Sequence, residues 1–359
     1  MPIETQVLQV DPVHPDPELV KIAARQLQAG GLVAFPTETV YGLGANAFDT
    51  QAVARIFEAK RRPAADPLIV HIASITQLET IVSSIPDTAR MLTAQFWPGP
   101  LTLILNRHAC IPGNVSAGLD TVAVRMPSHP VAHALLLAAE VPVAAPSANL
   151  FTRPSPTTAQ HVLDDLHGRI DLVVDGGPTT IGLESTVLSL VEDPPVILRP
   201  GGVSIEALQA ILPTVTLNPR YLKSDDTQAA IVSPGMLLRH YAPNAEIQLF
   251  AGSLEPVLTR MQLVAQELTA VGRSVGVLVP DEERDIFSNI PVRVELLGSH
   301  GDLTQISANL FAGMRRLEGA GMEIILVHGF DHSGLGIAIW DRLLRAAEGR
   351  FIKVSEVSF

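Results

Sequence analysis

The residues suited to chemistry lie in short polar clusters that close apolar runs. Leu32-Val33-Ala34-Phe35-Pro36 leads into Thr37-Glu38-Thr39-Val40-Tyr41-Gly42-Leu43-Gly44, which brings two hydroxyls, a carboxylate and a phenol together. Hydroxyls at a strand end can hold a small polar substrate, and glycines let backbone approach a ligand. The same composition also makes structural turns. Lys60-Arg61-Arg62-Pro63 follows a helical stretch. Its cations either offset the helix dipole or, with Lys60 and Arg62 on one face of an extended segment, grip a polyphosphate. The second use gains weight because Lys60 is the only lysine between residues 22 and 222. His71 sits in the apolar strand Leu68–Ile72, either as a satisfied core residue or as a hydrogen-bond partner for a carboxylate. Alternation in Thr121-Val122-Ala123-Val124-Arg125-Met126-Pro127 puts Thr121, Ala123 and Arg125 on one face. Arg125 then needs an anionic partner, from a substrate carboxylate or a structural Asp, because an unpaired buried charge is very costly. Val143-Ala144-Ala145-Pro146-Ser147-Ala148-Asn149, with Ser155 beyond it, ends a buried strand in small polar residues, where α/β folds place ligands. Glu184-Ser185-Thr186 and Arg199-Pro200-Gly201-Gly202 complete the set.

These clusters need elements to hold them. Apolar spacing predicts helices over 16–30, 50–60, 86–96, 130–139 and 157–166. It predicts strands over 32–36, 68–72, 101–105, 121–126, 141–145, 172–174, 185–190 and 196–198. The mixed order implies an α/β domain with a twisted mixed sheet. Residues 213–244 carry few periodic apolar positions and read as an interdomain linker. From 245 to 359 strands and helices alternate again, as in a smaller doubly wound, Rossmann-like α/β domain. The expected division is therefore 1–212, 213–244 and 245–359.

Composition bounds the function. Apolar residues make up 47% of the 359 and charged residues 17%, enough for a substantial core and unlike a disordered chain. The net charge of −12 makes a poor general nucleic-acid binder. Cys110 is the only cysteine, which excludes an intrachain disulfide and a cysteine-based zinc site, and fits a cytoplasmic location. The longest apolar stretch, 131–146, is broken by His133, Glu140 and Pro142, so no membrane span is expected. G-x-x-x-x-G-K-[ST], H-E-x-x-H, C-x-x-C and G-x-S-x-G are all absent.

In this order the clusters are specific. PTETVYGLG (36–44), KRRP (60–63), DPLIVHI (66–72), FWPGPLTLIL (96–105), TVAVRMP (121–127), APSAN (145–149), RPSPT (153–157), ESTVLSL (184–190) and RPGG (199–202) resemble the threonylcarbamoyl-AMP synthase family in its two-domain form. SPGMLLRHYAP (233–243) resembles that family's linker signature. The resemblance implies a catalytic domain with a large concave, positively lined cavity. It implies formation of threonylcarbamoyl-AMP and pyrophosphate from L-threonine, bicarbonate and ATP, with Mg2+ accompanying the ATP and no metal site of the protein's own. A separate transferase complex would then pass the threonylcarbamoyl group to tRNA, which this chain need not contact directly.

Residue by residue, the resemblance assigns Thr37, Thr39, His71, Arg125, Ala145 and Ser185 to L-threonine. It assigns Lys60, Arg62, Asp66, Thr121, Ser147, Asn149, Ser155, Arg199 and His240 to ATP, with Lys60 and Arg62 supplying charge for catalysis. Residue 66 is Asp where relatives often carry Asn, so it would act on phosphate through metal or water. Two other readings compete. One is a carbamoyl-adenylate-forming carbamoyltransferase, whose relatives carry acylphosphatase and zinc-finger-like modules that have no counterpart here. The other is a double-stranded RNA binder acting through a local basic cavity.

Overall fold

The computed structural model describes residues 3–218 and 240–354, which divide into two compact units. The first comprises the described residues up to 218 except 152–154; the second comprises 152–154 and 240–354. Most of the expected linker, 219–239, lies outside the described residues. No described helix is long and apolar enough to cross a membrane.

The first unit is built on β1 (Gln6–Gln9), α1 (Pro17–Gln28), β2 (Val33–Phe35), β3 (Gly42–Asn46), α2 (Thr50–Lys60) and β4 (Ile69–His71). There follow α3 (Ile75–Ile81), α4 (Asp87–Phe96), β5 (Leu101–Asn106), β6 (Thr121–Arg125), α5 (Pro130–Ala139) and β7 (Val143–Ala144). It closes with α6 (Ala159–Leu166), β8 (Leu172–Asp175), β9 (Thr186–Ser189), β10 (Val196–Arg199), α7 (Ile205–Ile211) and β11 (Thr216–Leu217). The strands form one mixed sheet in the order β1-β8-β2-β3-β7-β4-β6-β5-β9-β10-β11. β11, which the sequence assigns to the linker, pairs in parallel with β10.

Period-two alternation decides which face each strand residue serves. Leu32, Ala34, Val70, Leu103, Val124 and Leu188 face a core that also takes apolar residues of α2, α4 and α6. Val33 and Phe35 face the other way, against α1 and α5. Along β4, β6, β5, β9 and β10 that second face carries only a small aliphatic cluster, Ile69, Ile104, Ala123, Val187 and Leu198, with no helical residue in it. Beside this floor one register runs across the strands: His71 opposite Arg125, Arg125 opposite Thr102, Thr102 opposite Val187, and Val187 opposite Arg199. Polar side chains along such a row share a face, and here it is the face that no helix of these clusters covers.

Gly44 serves packing. It lies in β3, and a methyl there would come within 2.7 Å of Val143 and 2.9 Å of Phe35. The absent side chain leaves room for neighbouring strands.

The second unit holds β12 (Glu246–Ala251), α8 (Leu254–Ala270), β13 (Val275–Val279), β14 (Arg293–Leu296), α9 (Leu303–Gly319), β15 (Ile324–His328), α10 (Gly336–Ala346) and β16 (Ile352–Lys353). Its sheet, ordered β14-β13-β15-β12-β16, is parallel throughout, as expected for a doubly wound domain. Tyr241 stacks on Phe311 at 5.5 Å, and the fully buried Arg342 lies over its ring at 4.9 Å.

Candidate active site

Each cluster is held by its own local structure. Thr37 Oγ1 accepts from the amides of Thr39 and Val40, both at 3.2 Å, and donates to the Val40 carbonyl at 2.6 Å. Its hydroxyl also meets that of Thr39 at 2.8 Å. Thr37 thus folds the turn that presents Glu38 and Thr39. Tyr41 is structural: it is fully buried and donates to the Gly177 carbonyl at 2.7 Å.

Arg125 is the centre of the first subsite. Its Nη1 donates to Thr39 Oγ1 at 2.8 Å and its Nε to the Gly99 carbonyl at 3.2 Å. Its Nη2 is 2.8 Å from Glu38 Oε1, so the anionic partner expected from the sequence is Glu38. Burial raises the Glu38 pKa, but the Arg125 charge and hydrogen bonds outweigh it, and the carboxyl is held below its ordinary value.

His71 neighbours Arg125 across the β4–β6 register. Its Nδ1 faces the Ile69 carbonyl at 3.3 Å, which with the proton on Nδ1 leaves Nε2 as an acceptor. Burial, then the Arg125 charge, push its pKa from 6.5 down to about 3. The unfolded chain therefore binds the extra proton between those values. Stability from this group is full above about 6.5 and is lost as the pH falls toward 3, at up to about 1.4 kcal/mol per pH unit. We expect urea melts of wild type and His71→Gln to converge as the pH falls through that window. Parallel curves would show that His71 titrates normally.

The second subsite gathers the cations. Lys60 is the last residue of α2, and Arg61 then turns left-handed at φ 53. The extended spacing expected for Lys60 and Arg62 is thus replaced by a helix end, because the cap reverses the chain after Lys60. Both side chains are nevertheless buried. Lys60 Nζ donates to the carbonyls of Ser147 and Asn149 at 2.5 Å each, tying α2 to the loop after β7. Arg62 pairs with Asp66 at 2.9 Å and donates to the Pro67 carbonyl at 2.9 Å. Burial raises the Asp66 pKa against the pull of Arg62, Lys60 and Arg199, so three cations converge on one carboxyl.

The subsites meet at Ser185. Arg199 Nη2 donates to the Ser185 carbonyl at 2.9 Å and to its hydroxyl at 3.1 Å. That hydroxyl is also 2.7 Å from Thr102, the register neighbour of Arg125. Gly201 allows this close approach: a methyl there would come within 2.3 Å of the Glu184 carbonyl.

Several other expected residues fall around these groups. Ala145 donates its amide to Ile69 at 2.9 Å, so a ligand would meet its carbonyl or methyl. Ser147 bridges to Gly42, and Asn149 donates to the Leu150 carbonyl at 2.7 Å. Ser155 donates to Glu184 in a short hydrogen bond. Thr121, half-buried, opens β6 on the Arg125 face. His240 belongs to the second unit and packs edge-on to Tyr241 at 4.1 Å. Residues 233–239 of the linker signature lie outside the described residues.

Sequence reasoning gave no role to Glu38, Thr102 or Glu184. Glu38 stands between two assigned threonines, and Thr102 is a lone polar residue within LTLIL. Those signals were present, but only pairing across strands gives them meaning.

Comparison with known proteins shows the family. The family model described as "Telomere recombination" matches residues 25–201, and the one described as "Threonylcarbamoyl-AMP synthase, C-terminal domain" matches 203–348. The threonylcarbamoyl-AMP synthase of Pyrococcus abyssi is 46% identical over 336 residues, covering 93% of this chain and 96% of that protein. The Bacillus subtilis threonylcarbamoyl-AMP synthase is 46% identical over 339 residues, covering 94% and 95%. The crystal structure of P. abyssi Sua5 complexed with L-threonine superposes with a TM-score of 0.92 at 44% identity, covering 98% of this chain and all of that one.

Proposed function

Since the chain belongs to the threonylcarbamoyl-AMP synthase family, we propose that it forms threonylcarbamoyl-AMP and pyrophosphate from L-threonine, bicarbonate and ATP. The observation that carries this reading is the junction at Ser185. A group matched to an amino acid, around Arg125, and a cluster of cations, around Asp66, are joined by the Arg199–Ser185–Thr102 hydrogen bonds. An acceptor and a phosphate donor bound in these subsites would meet there.

The chemistry needs alignment and charge more than a covalent protein group. Arg125 takes the threonine carboxylate, and Thr39, Ser185 and neutral His71 offer partners to its hydroxyl. Once the amine is carboxylated, a carbamate oxygen attacks the α-phosphate and the bond to pyrophosphate breaks. Lys60, Arg62 and Arg199 offset the charge on the phosphoryl oxygens. Thr121, Ser147, Asn149 and Ser155 place the nucleotide, and His240 would act on it from the linker signature.

Among the described residues, no group of three or more acidic, His or Cys side chains could cage a metal. Asp66, a buried carboxyl paired with Arg62 at 2.9 Å, is the one acidic group at the cation cluster that could share an ion held mainly by the nucleotide. Mg2+ arriving with ATP would be held by Asp66 and would supply further charge neutralisation on the phosphates. The product then goes to a separate transferase complex for attachment to tRNA, in the cytoplasm. The carbamoyltransferase alternative loses ground because the second family model fills 203–348, where that reading would look for other modules.

The test is to incubate purified protein with ATP, Mg2+, bicarbonate and L-threonine, and to follow pyrophosphate and the adenylate by mass spectrometry. We expect adenylate only when threonine and bicarbonate are both present, and little with serine or valine. Its absence from folded protein would refute the reading.

A further inference from the structure

We propose that the second unit carries a ligand site of its own, at the ends of β12 and β15, for a small uncharged heteroaromatic molecule of nucleoside size. Every residue that lines it belongs to the second unit, so it goes beyond the catalytic reading above.

The topology makes an opening there. β12 and β15 are parallel neighbours, with Phe250 opposite His328. The chain leaves β12 for β13, which lies beyond β15, and leaves β15 for β16, which lies beyond β12. Right-handed crossovers in opposite directions run over opposite faces of the sheet. The connections therefore part at the carboxyl ends of these two strands, where open α/β sheets bind ligands. A cavity of about 280 Å³ occupies this place, near the lower end of the range for small-molecule sites.

Its lining has an aromatic and a polar side. Phe250, Phe330 and Trp340 form the first. Trp340 packs against the exit of β15, since a methyl on Gly329 would come within 2.8 Å of its ring. His300, His328 and Asp331 form the second. His328 is buried, with Nε2 2.8 Å from Glu283 Oε2 and Nδ1 2.7 Å from the Gly329 carbonyl. Glu283, also buried, meets His300 Nδ1 at 3.1 Å with its other oxygen. The exposed His300 ring is thus held by Nδ1 and can offer Nε2. Asp331 is exposed, and its carboxylate accepts from Ser333 Oγ at 2.9 Å.

These charges select the class of ligand. No Lys or Arg lines the cavity, and the residues after β12, Gly252-Ser253-Leu254-Glu255, form no glycine-rich phosphate loop. A polyphosphate would face Asp331 without the cations that such groups need. A planar base suits the aromatic wall. Sugar hydroxyls suit Asp331, as they suit the acidic residue of dinucleotide-binding sheets. A nucleoside combines the two without a charge.

Adenosine is the probe, and tryptophan emission is the readout. Trp340 lines the cavity, and the only other tryptophan, Trp97, belongs to the first unit. In the full chain we expect saturable quenching by adenosine that persists with saturating ATP and vanishes in Trp340→Phe. Asp331→Ala, at an exposed position, should weaken adenosine binding by about 10- to 100-fold, the worth of a hydrogen bond to a charged group, and leave the thermal melt unchanged. The proposal falls if folded protein shows no saturable quenching below about 1 mM adenosine. It falls equally if ATP displaces adenosine, which would put the probe in the catalytic site. Affinity unchanged in both Asp331→Ala and His300→Ala would place binding elsewhere, and AMP binding more tightly than adenosine would overturn the uncharged class.

Discussion

Lys60→Ala should lower the rate of adenylate formation by about a thousandfold while the first unit stays folded. Two effects add. The substitution removes one of the three cations that converge on Asp66, in a buried setting where charge is poorly screened. It also frees the loop after β7, because Lys60 Nζ holds the Ser147 and Asn149 carbonyls at 2.5 Å each. Leaving buried carbonyls without a donor costs about 1–3 kcal/mol apiece, so a thermal melt belongs beside the assay. Calorimetry should show weakened ATP binding and nearly unchanged threonine binding, since Lys60 acts on the loop after β7 and on Asp66. Activity within tenfold of wild type would remove Lys60 from the reaction and reduce it to a tether.

Arg125→Ala should do more, because it acts on binding and folding together. It takes away the carboxylate partner of threonine, for which we expect the KM to rise at least about a hundredfold. It also strands Glu38, a buried carboxylate whose 2.8 Å ion pair is lost. Breaking a buried pair from one side typically costs about 3–5 kcal/mol, because the remaining charge is left uncompensated. Adding Glu38→Gln to Arg125→Ala separates the two effects. The double variant should regain much of the stability, since the orphaned charge is gone, and none of the activity. Urea melts and the mass-spectrometric assay on the three variants would decide it. A single variant as stable as wild type would mean that water reaches Glu38 and that the pair is not buried in solution.

What the sequence determined by itself is local. Helices α2 and α5 span 50–60 and 130–139 as their spacing requires, with Asp49 capping the first and Pro130 opening the second. The signal for α3 was also present, since Ser74 accepts from the Gln77 amide as an N-cap, although the apolar pattern alone passed over it. The ordered motifs were enough to place the chain in its family, because so many short matches in one order rarely arise by chance.

Other features only the tertiary structure decided. β3 could not be read from Gly42-Leu43-Gly44, since its glycines answer to Phe35 and Val143 on neighbouring strands. No local pattern says that Arg125 will meet Glu38, that Asp66 will collect Lys60, Arg62 and Arg199, or that Arg199 will reach Ser185. Strand register across β4, β6, β5, β9 and β10 aligns His71, Arg125, Thr102 and Arg199, which are far apart in the chain, while Glu38, Lys60, Arg62 and Asp66 reach them from turns and a helix end outside those strands. Helix propensity and apolar period act over a few residues, whereas a buried charge selects its partner by what the completed sheet brings within about 3 Å.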